Sequence, residues 1–167
     1  MKKIIILFTL YLLVGCSMMN NSPTMTVSSF FQKYQNLDND ILKELDNMIE
    51  KEDNMTKNQK EEYKTLLEKQ YQNLSYKIVK EETTKDISQV DVEIEVLNYQ
   101  NAKIKAKQKA LENNNEDYID LQLKEMKHVK DKIKYNITLI LENKNGVWKI
   151  NKLTDEDIKK IHGILIY

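Results

Sequence analysis

The sequence contains no arginine, and it has only one cysteine, one proline and three glycines in 167 residues. Because all 26 basic residues are therefore lysine, the chain lacks the planar fork that binds phosphates and guanine edges. The 26 acidic residues balance the lysines, which argues against a general nucleic-acid-binding protein. So few glycines also leave no loop that cradles phosphates, and no cofactor is expected.

Long apolar runs are missing too. The longest, residues 4–14, is well short of the roughly 20 residues that a membrane-spanning helix needs. It follows two basic residues, Lys2 and Lys3, and ends at the small Gly15. A basic start, a short apolar run and a small residue are the layout of an export signal, so residues 1–15 predict a signal peptide.

The residues Leu13, Val14, Gly15 and Cys16 resemble the lipobox of bacterial lipoproteins. The resemblance implies that Cys16 receives a diacylglyceryl group and becomes the N-terminus after cleavage of the leader. Two acyl chains bind a membrane stably, so we expect an extracytoplasmic domain on the bacterial cell membrane, at its periplasmic face or on the outer membrane if the cell has two. An acylated Cys16 leaves no thiol for a nucleophile, a metal site or a disulfide. The alternative is a chance cysteine beside an ordinary signal.

The chain after the leader has the length of one domain with one core. Residues 16–25 are polar, and Pro23 argues against a helix there, so they are predicted to form a tether. Residues 26–167 are predicted to form a single domain.

Three helices are predicted at the start of this domain. Thr26 offers an N-cap, and apolar residues then recur with helical spacing as far as Leu37. A second helix is predicted over residues 40–51. Thr56 and Gln59 match a capping box that opens the third.

The hydrophobic period then changes from helical to alternating. Residues 74–83 are a strand candidate, and residues 90–96 alternate between valine or isoleucine and acidic residues. Such alternation is typical of an antiparallel sheet with one solvated face. Residues 133–141 alternate in the same way, and Asn145-Gly146 is the preferred dipeptide of a type I′ hairpin. That turn pairs Leu141 with Ile150 and Asn143 with Trp148.

Residues 100–131 return to helical composition between the second and third strands. Asn113 to Asn115 break this segment, so we predict a helical insertion. Thr154 and Asp157 resemble a capping pair for a short C-terminal helix, which Gly163 ends. The order of elements predicts an α+β fold: N-terminal helices on a curved antiparallel sheet of about four strands, with the insertion and a short C-terminal helix.

The opening VSSFFQKY (residues 27–34) and the closing NGVWKI (residues 145–150) resemble the nuclear-transport-factor-2-like superfamily, also called the cystatin-like cone. The resemblance implies that the helices pack into the concave side of the sheet. It also implies a likeness to small envelope lipoproteins of no established activity. Enzymes on this fold use a pocket carboxylate or a histidine-aspartate pair, and the insertion at 100–131 departs from the simple cone.

The two histidines are the first candidates for chemistry. Glu125 and His128 have the spacing found in di-iron carboxylate bundles, but such sites need a second motif that the sequence lacks. We therefore predict no metal site and a partly exposed His128. His162 precedes Gly163 in the last turn of the predicted helix, where the negative end of the helix dipole stabilises a positively charged histidine.

The inward positions of the predicted strands contain no acid or histidine, so we predict no catalytic residue there, although the insertion offers further carboxylates. Aromatic residues are the remaining binding candidates, because each has an apolar body and a polar tip. The alternative is that they are ordinary core residues. The candidate pocket lining is Tyr63, Tyr71, Tyr76, Tyr135 and Trp148.

Lys103, Lys105, Lys107 and Lys109 form the densest basic run. Near an anionic leaflet each lysine contributes roughly 1 kcal/mol to membrane binding. In a helix, however, this spacing scatters the charges around the axis. A solvated helix face is the simpler interpretation.

The sequence predicts a lipid-anchored, non-enzymatic module that binds an envelope protein or a small apolar ligand, with membrane lipid as its other partner and no nucleic acid. One alternative is a small-molecule enzyme of the isomerase or dehydratase type on the same cone. A buried acid or histidine facing a cavity would favour that enzyme, whereas a packed cone would favour the interaction module. A third hypothesis is an inhibitor of a cell-wall enzyme or of a phage, for which a protruding insertion would be expected.

Overall fold

The computed structural model describes residues 21–112 and 117–165, and the predicted signal peptide, the predicted lipobox and Cys16 lie outside the described residues. The helices are α1 (Pro23–Asn36), α2 (Asn39–Glu50), α3 (Lys57–Asn73), α4 (Tyr99–Glu112), α5 (Tyr118–Lys127) and α6 (Asp155–Ile161). The strands are β1 (Ser75–Thr84), β2 (Ile87–Leu97), β3 (Lys132–Lys144) and β4 (Val147–Ile150). The predicted α+β fold is confirmed. None of the described helices is long and apolar enough to cross a membrane.

The first helix starts earlier than the sequence pattern predicts. Ser22 caps it by accepting a hydrogen bond from the backbone amide of Met25, and Pro23 occupies its first turn. The argument that Pro23 prevents a helix was wrong, because a proline is tolerated where the amide has no helical acceptor. The tether predicted over residues 16–25 is therefore shortened to at most residues 16–22.

The sheet is antiparallel with the strand order β1-β2-β3-β4. Its hairpin has the predicted register, in which Leu141 pairs with Ile150 and Asn143 with Trp148. Asn145 and Gly146 both have positive φ, as a type I′ turn requires. One face of β2 and β3 is almost completely buried and forms the centre of the core: Val90, Val92, Ile94, Val96, Tyr135, Ile137, Leu139 and Leu141.

Helices α1 and α3 cover this face with aromatic side chains. Phe31 of α1 stacks on Tyr76 of β1 with ring centroids 4.9 Å apart. Tyr34 of α1 meets the edge of Tyr71 of α3, also at 4.9 Å. The predicted capping box of α3 is present, since the Thr56 hydroxyl accepts from the Gln59 amide. Helix α2 packs against α3.

The insertion forms two helices as predicted, and residues 113–116 between them lie outside the described part. Helix α5 packs against α3, and α4 packs against α5. The Tyr99 hydroxyl donates to the Leu66 carbonyl at 2.9 Å, and Gln59 Nε2 donates to Asp120 at 2.7 Å. Insertion residues 100–112 and 117–131 thus do not form the protruding arm that the inhibitor hypothesis expects.

A buried glutamine connects α3 to the end of β2. Gln70 Nε2 donates to the Leu97 carbonyl at 2.9 Å, and its Oε1 accepts from the Leu97 amide at 2.8 Å. Gly163, just after α6, lies against the same two residues, so a Cβ there would clash with the Leu97 carbonyl. Its carbonyl accepts from the amide of Gln100 at 2.6 Å. These contacts fix the C-terminal end of α6 against α3, β2 and α4.

Candidate functional site

A cavity of about 390 Å³ lies between α2, α3 and α6. The side chains that line it are mostly apolar or aromatic, with charged groups among them. This composition is typical of small-molecule sites, which occupy roughly 300–1,000 Å³. The lining residues are Tyr34, Ile41, Glu44, Leu45, Met48, Glu52, Tyr63, Tyr71, Asp155, Ile158, Lys159, His162 and Ile164.

A hydrogen-bonded pair, Tyr71 and His162, forms one wall. The Tyr71 hydroxyl and His162 Nε2 are 2.9 Å apart, and both residues are buried. Burial lowers the pKa of His162 to about 4, so the ring is neutral at pH 7. The predicted position of His162 at the end of α6 is confirmed, but the proposed charge-dipole interaction is wrong because desolvation removes the charge.

Two further tyrosines present free hydroxyls. Tyr34 and Tyr63 are 6% and 5% exposed, and both line the cavity. Neither hydroxyl has a hydrogen-bond partner among the described residues. Every fully buried side-chain nitrogen or oxygen of those residues does have a partner, so these two hydroxyl oxygens are not fully buried. Both hydroxyls therefore reach the open space of the cavity. Burial raises the pKa of both phenols, that of Tyr63 to about 12, so they remain protonated.

Three carboxylates, those of Glu44, Glu52 and Asp155, line the same cavity. None of them forms an ion pair with a described residue. Lys159 is the one basic residue of the lining. Half-buried Lys103 of α4 lies within the field of Glu52 and Lys159, and desolvation lowers its pKa. The lining carries more negative than positive charge.

The predicted pocket residues divide into two groups. Tyr63 and Tyr71 line the cavity, whereas Tyr76, Tyr135 and Trp148 lie elsewhere. The Tyr135 hydroxyl donates to Gln100 and to the Leu165 carbonyl, each at 3.3 Å. These three residues belong to the sheet and its helix contacts, which the core interpretation predicted.

Sequence reasoning missed Tyr34, Glu44 and His162 as members of one site. The cavity is formed between helices, away from the sheet surface where a cone pocket was expected. The spacing of Tyr34, Ile41 and Leu45 predicted that they lie on the apolar faces of α1 and α2. The spacing does not indicate which helix faces pack against each other.

A second depression, between α1 and β4, has a volume of about 470 Å³. It is an open groove whose polar lining includes Asn21, Lys33 and Lys149. Lys33 pairs with Asp40 at 2.6 Å, and the Asn21 amide donates to the Gly146 carbonyl at 2.6 Å. Because its polar groups are exposed or already bound, this groove is a weaker site than the interhelical cavity.

Glu125 and His128 lie outside the lining of the interhelical cavity and line a small depression of about 60 Å³. Glu125 binds Lys109 Nζ at 2.5 Å, which lowers the carboxyl pKa. His128 is exposed at the C-terminal end of α5. Across residues 21–112 and 117–165, no group of three or more His, Cys, Asp or Glu residues is placed to hold a metal ion.

The lysine run of α4 is mostly a solvated face, as predicted. Lys105 and Lys107 are exposed, and Lys109 pairs with Glu125. Lys103 is the exception, because it is half-buried beside the interhelical cavity.

Comparisons with protein-family models, with curated proteins and with solved structures gave no match to this chain. The likeness to the cone superfamily and to bacterial lipoproteins therefore stays a prediction from sequence motifs.

Proposed function

We propose that this protein is a lipid-anchored envelope protein whose domain binds a small, largely apolar ligand in the interhelical cavity. The observation that supports this proposal is the pair of unpartnered hydroxyls, Tyr34 and Tyr63, in a mostly apolar cavity of about 390 Å³. A polar group without a partner in a nearly buried position costs free energy unless water or a ligand binds it. A ligand with an apolar body and one polar end satisfies both parts of this lining.

Binding without catalysis fits the protonation states of the lining. A general base works best with a pKa near the operating pH, and the pKa of His162 is lowered to about 4. The Tyr71 phenol beside it is held protonated, since burial raises its pKa. At pH 7 this pair is a neutral donor and acceptor, suited to orienting a ligand.

An enzyme is the second candidate, and the position of His162 favours it. A buried histidine that faces a cavity is the feature expected of the small-molecule enzyme, although this cavity is not inside the sheet. Proton transfer would be detected as His162-dependent deuterium incorporation into a carbonyl compound in D2O. The packed inner face of β2 and β3 supports the binding module.

The cavity assignment is tested by filling it. Met48 is a half-buried lining residue of α2, so Met48→Trp should occupy the space that a ligand needs. Leu42→Trp is a matched control, because Leu42 is half-buried on the same helix but outside the lining. We expect 2-phenylethanol, titrated by NMR, to bind the parent and Leu42→Trp but not Met48→Trp. Equal binding to all three would place the ligand elsewhere.

The anchoring part of the proposal depends on Cys16. With α1 starting at Pro23, the seven residues 16–22 span at most about 25 Å, so the domain would stay close to the lipid surface. Asn21 further binds the hairpin at Gly146. Replacement of Cys16 with Ala should abolish lipid labelling and prevent cleavage of the leader. A parent protein without any lipid label would refute this part and leave the cavity proposal standing.

A further inference from the structure

The chemical class of the ligand follows from the charges around the cavity, an inference that rests on the proposed binding function. The lining contains Glu44, Glu52 and Asp155 against a single lysine, Lys159. None of the three carboxylates is neutralised in an ion pair among the described residues. An anionic ligand would meet this negative field, and the chain has no arginine to bind it.

The charges are not evenly distributed. Lys103 lies within the field of both Glu52 and Lys159, which act on its pKa in opposite directions. Glu44 acts instead on the tyrosines: its charge contributes to the raised pKa of both Tyr34 and Tyr71. Lys33 also lies within the field of Glu44, but it pairs with Asp40 at 2.6 Å. Glu44 is thus an unpaired carboxylate of the lining whose charge reaches the unpartnered Tyr34 hydroxyl.

The groups beside Glu44 also suit a cation. The Tyr34 hydroxyl is an unpartnered acceptor inside the cavity, and the residue is more than nine-tenths buried. An ammonium group has three donors and no acceptor, so it can bind a carboxylate and a phenol oxygen at once. Aromatic rings add cation-π attraction. The neutral His162 introduces no opposing positive charge.

We infer that the cavity binds an amphiphilic amine, with its ammonium group on Glu44 and Tyr34 and its apolar body against Leu45, Met48 and Ile158. The inference commits to a small-molecule amine and not to a peptide, because the cavity of about 390 Å³ is bounded by three helices.

The test compares three probes that differ in charge but not greatly in size: 2-phenylethylammonium, 2-phenylethanol and phenylacetate. Each is titrated into the full-length protein in detergent, with empty micelles in parallel, and the dissociation constant is taken from the His162 resonances. We expect the ammonium to bind about twofold to fivefold more tightly than the alcohol, the range of an exposed charge pair. Phenylacetate should bind more weakly than the alcohol.

Glu44→Gln should remove the preference for the ammonium, measured as the ratio of the dissociation constants of 2-phenylethanol and 2-phenylethylammonium. The matched control is Glu50→Gln, an exposed carboxylate of α2 that does not line the cavity. If the alcohol binds but the ammonium has no advantage, or if Glu44→Gln keeps that advantage, the amine inference is wrong while the binding function stands. If none of the probes binds saturably, both fail.

Discussion

The buried glutamine between α3 and β2 gives the sharpest test of how the site is held. Gln70 is fully buried, and its amide binds both the amide and the carbonyl of Leu97. Gln70→Met keeps a side chain of similar length but leaves both backbone groups without a partner. Each unpaired buried group costs about 1–3 kcal/mol, and the apolar replacement recovers about 1 kcal/mol. The net expected loss is about 1–5 kcal/mol.

Urea unfolding measures this loss directly, with an unchanged m-value and a midpoint lower by about 0.5 M or more. Gln72→Met is the control, because Gln72 is an exposed residue of the same helix. Its free energy of unfolding should stay within about 0.5 kcal/mol of the parent. If Gln70→Met also stays within that range, the Leu97 groups find other partners, and Gln70 does not hold α3 in place for Tyr71.

Gly163→Ala should lower the midpoint of thermal unfolding far more than Gly146→Ala. Both glycines have positive φ, but only at Gly163 would a Cβ collide with backbone atoms. Equal losses for the two variants would contradict this packing. The stability should also depend on pH through His162, whose pKa is lowered from 6.5 to about 4. The contribution of neutral His162 to the free energy of unfolding is fully present above pH 6.5. Roughly 3 kcal/mol of it is lost as the pH falls towards 4, because the histidine binds its proton at a higher pH in the unfolded chain than in the folded one. Urea titrations at pH 7 and pH 4.5 should show a smaller decrease for His162→Gln, and an equal decrease would refute the assignment.

Most of the fold could be predicted from local sequence signals. The alternation of residues 90–96, the Asn145-Gly146 turn and the Thr56 capping box each specify backbone geometry within a few residues, and all three are confirmed. The start of α1 was missed because Pro23 was interpreted only as a helix breaker. Its position directly after Ser22, a favoured N-cap residue, was the signal that indicated a helix start.

The site was much less predictable, because it is formed by long-range contacts. Tyr71 and His162 are 91 positions apart and meet only when α6 lies against α3. Two of the proposed lining residues, Tyr63 and Tyr71, were found because aromatic residues with polar ends are general candidates. Glu44 was indistinguishable from the other exposed carboxylates of α2, since its role depends on which helix faces it.

The central claim is that the interhelical cavity is a binding site, and the two histidines provide the most direct measurement. His162 lines the cavity, while His128 is exposed on α5. In an NMR titration of the full-length protein with 2-phenylethanol, the account predicts a saturable shift of the His162 ring signals and no shift of those of His128. Equal shifts of both histidines, or no saturable shift of His162, would contradict it.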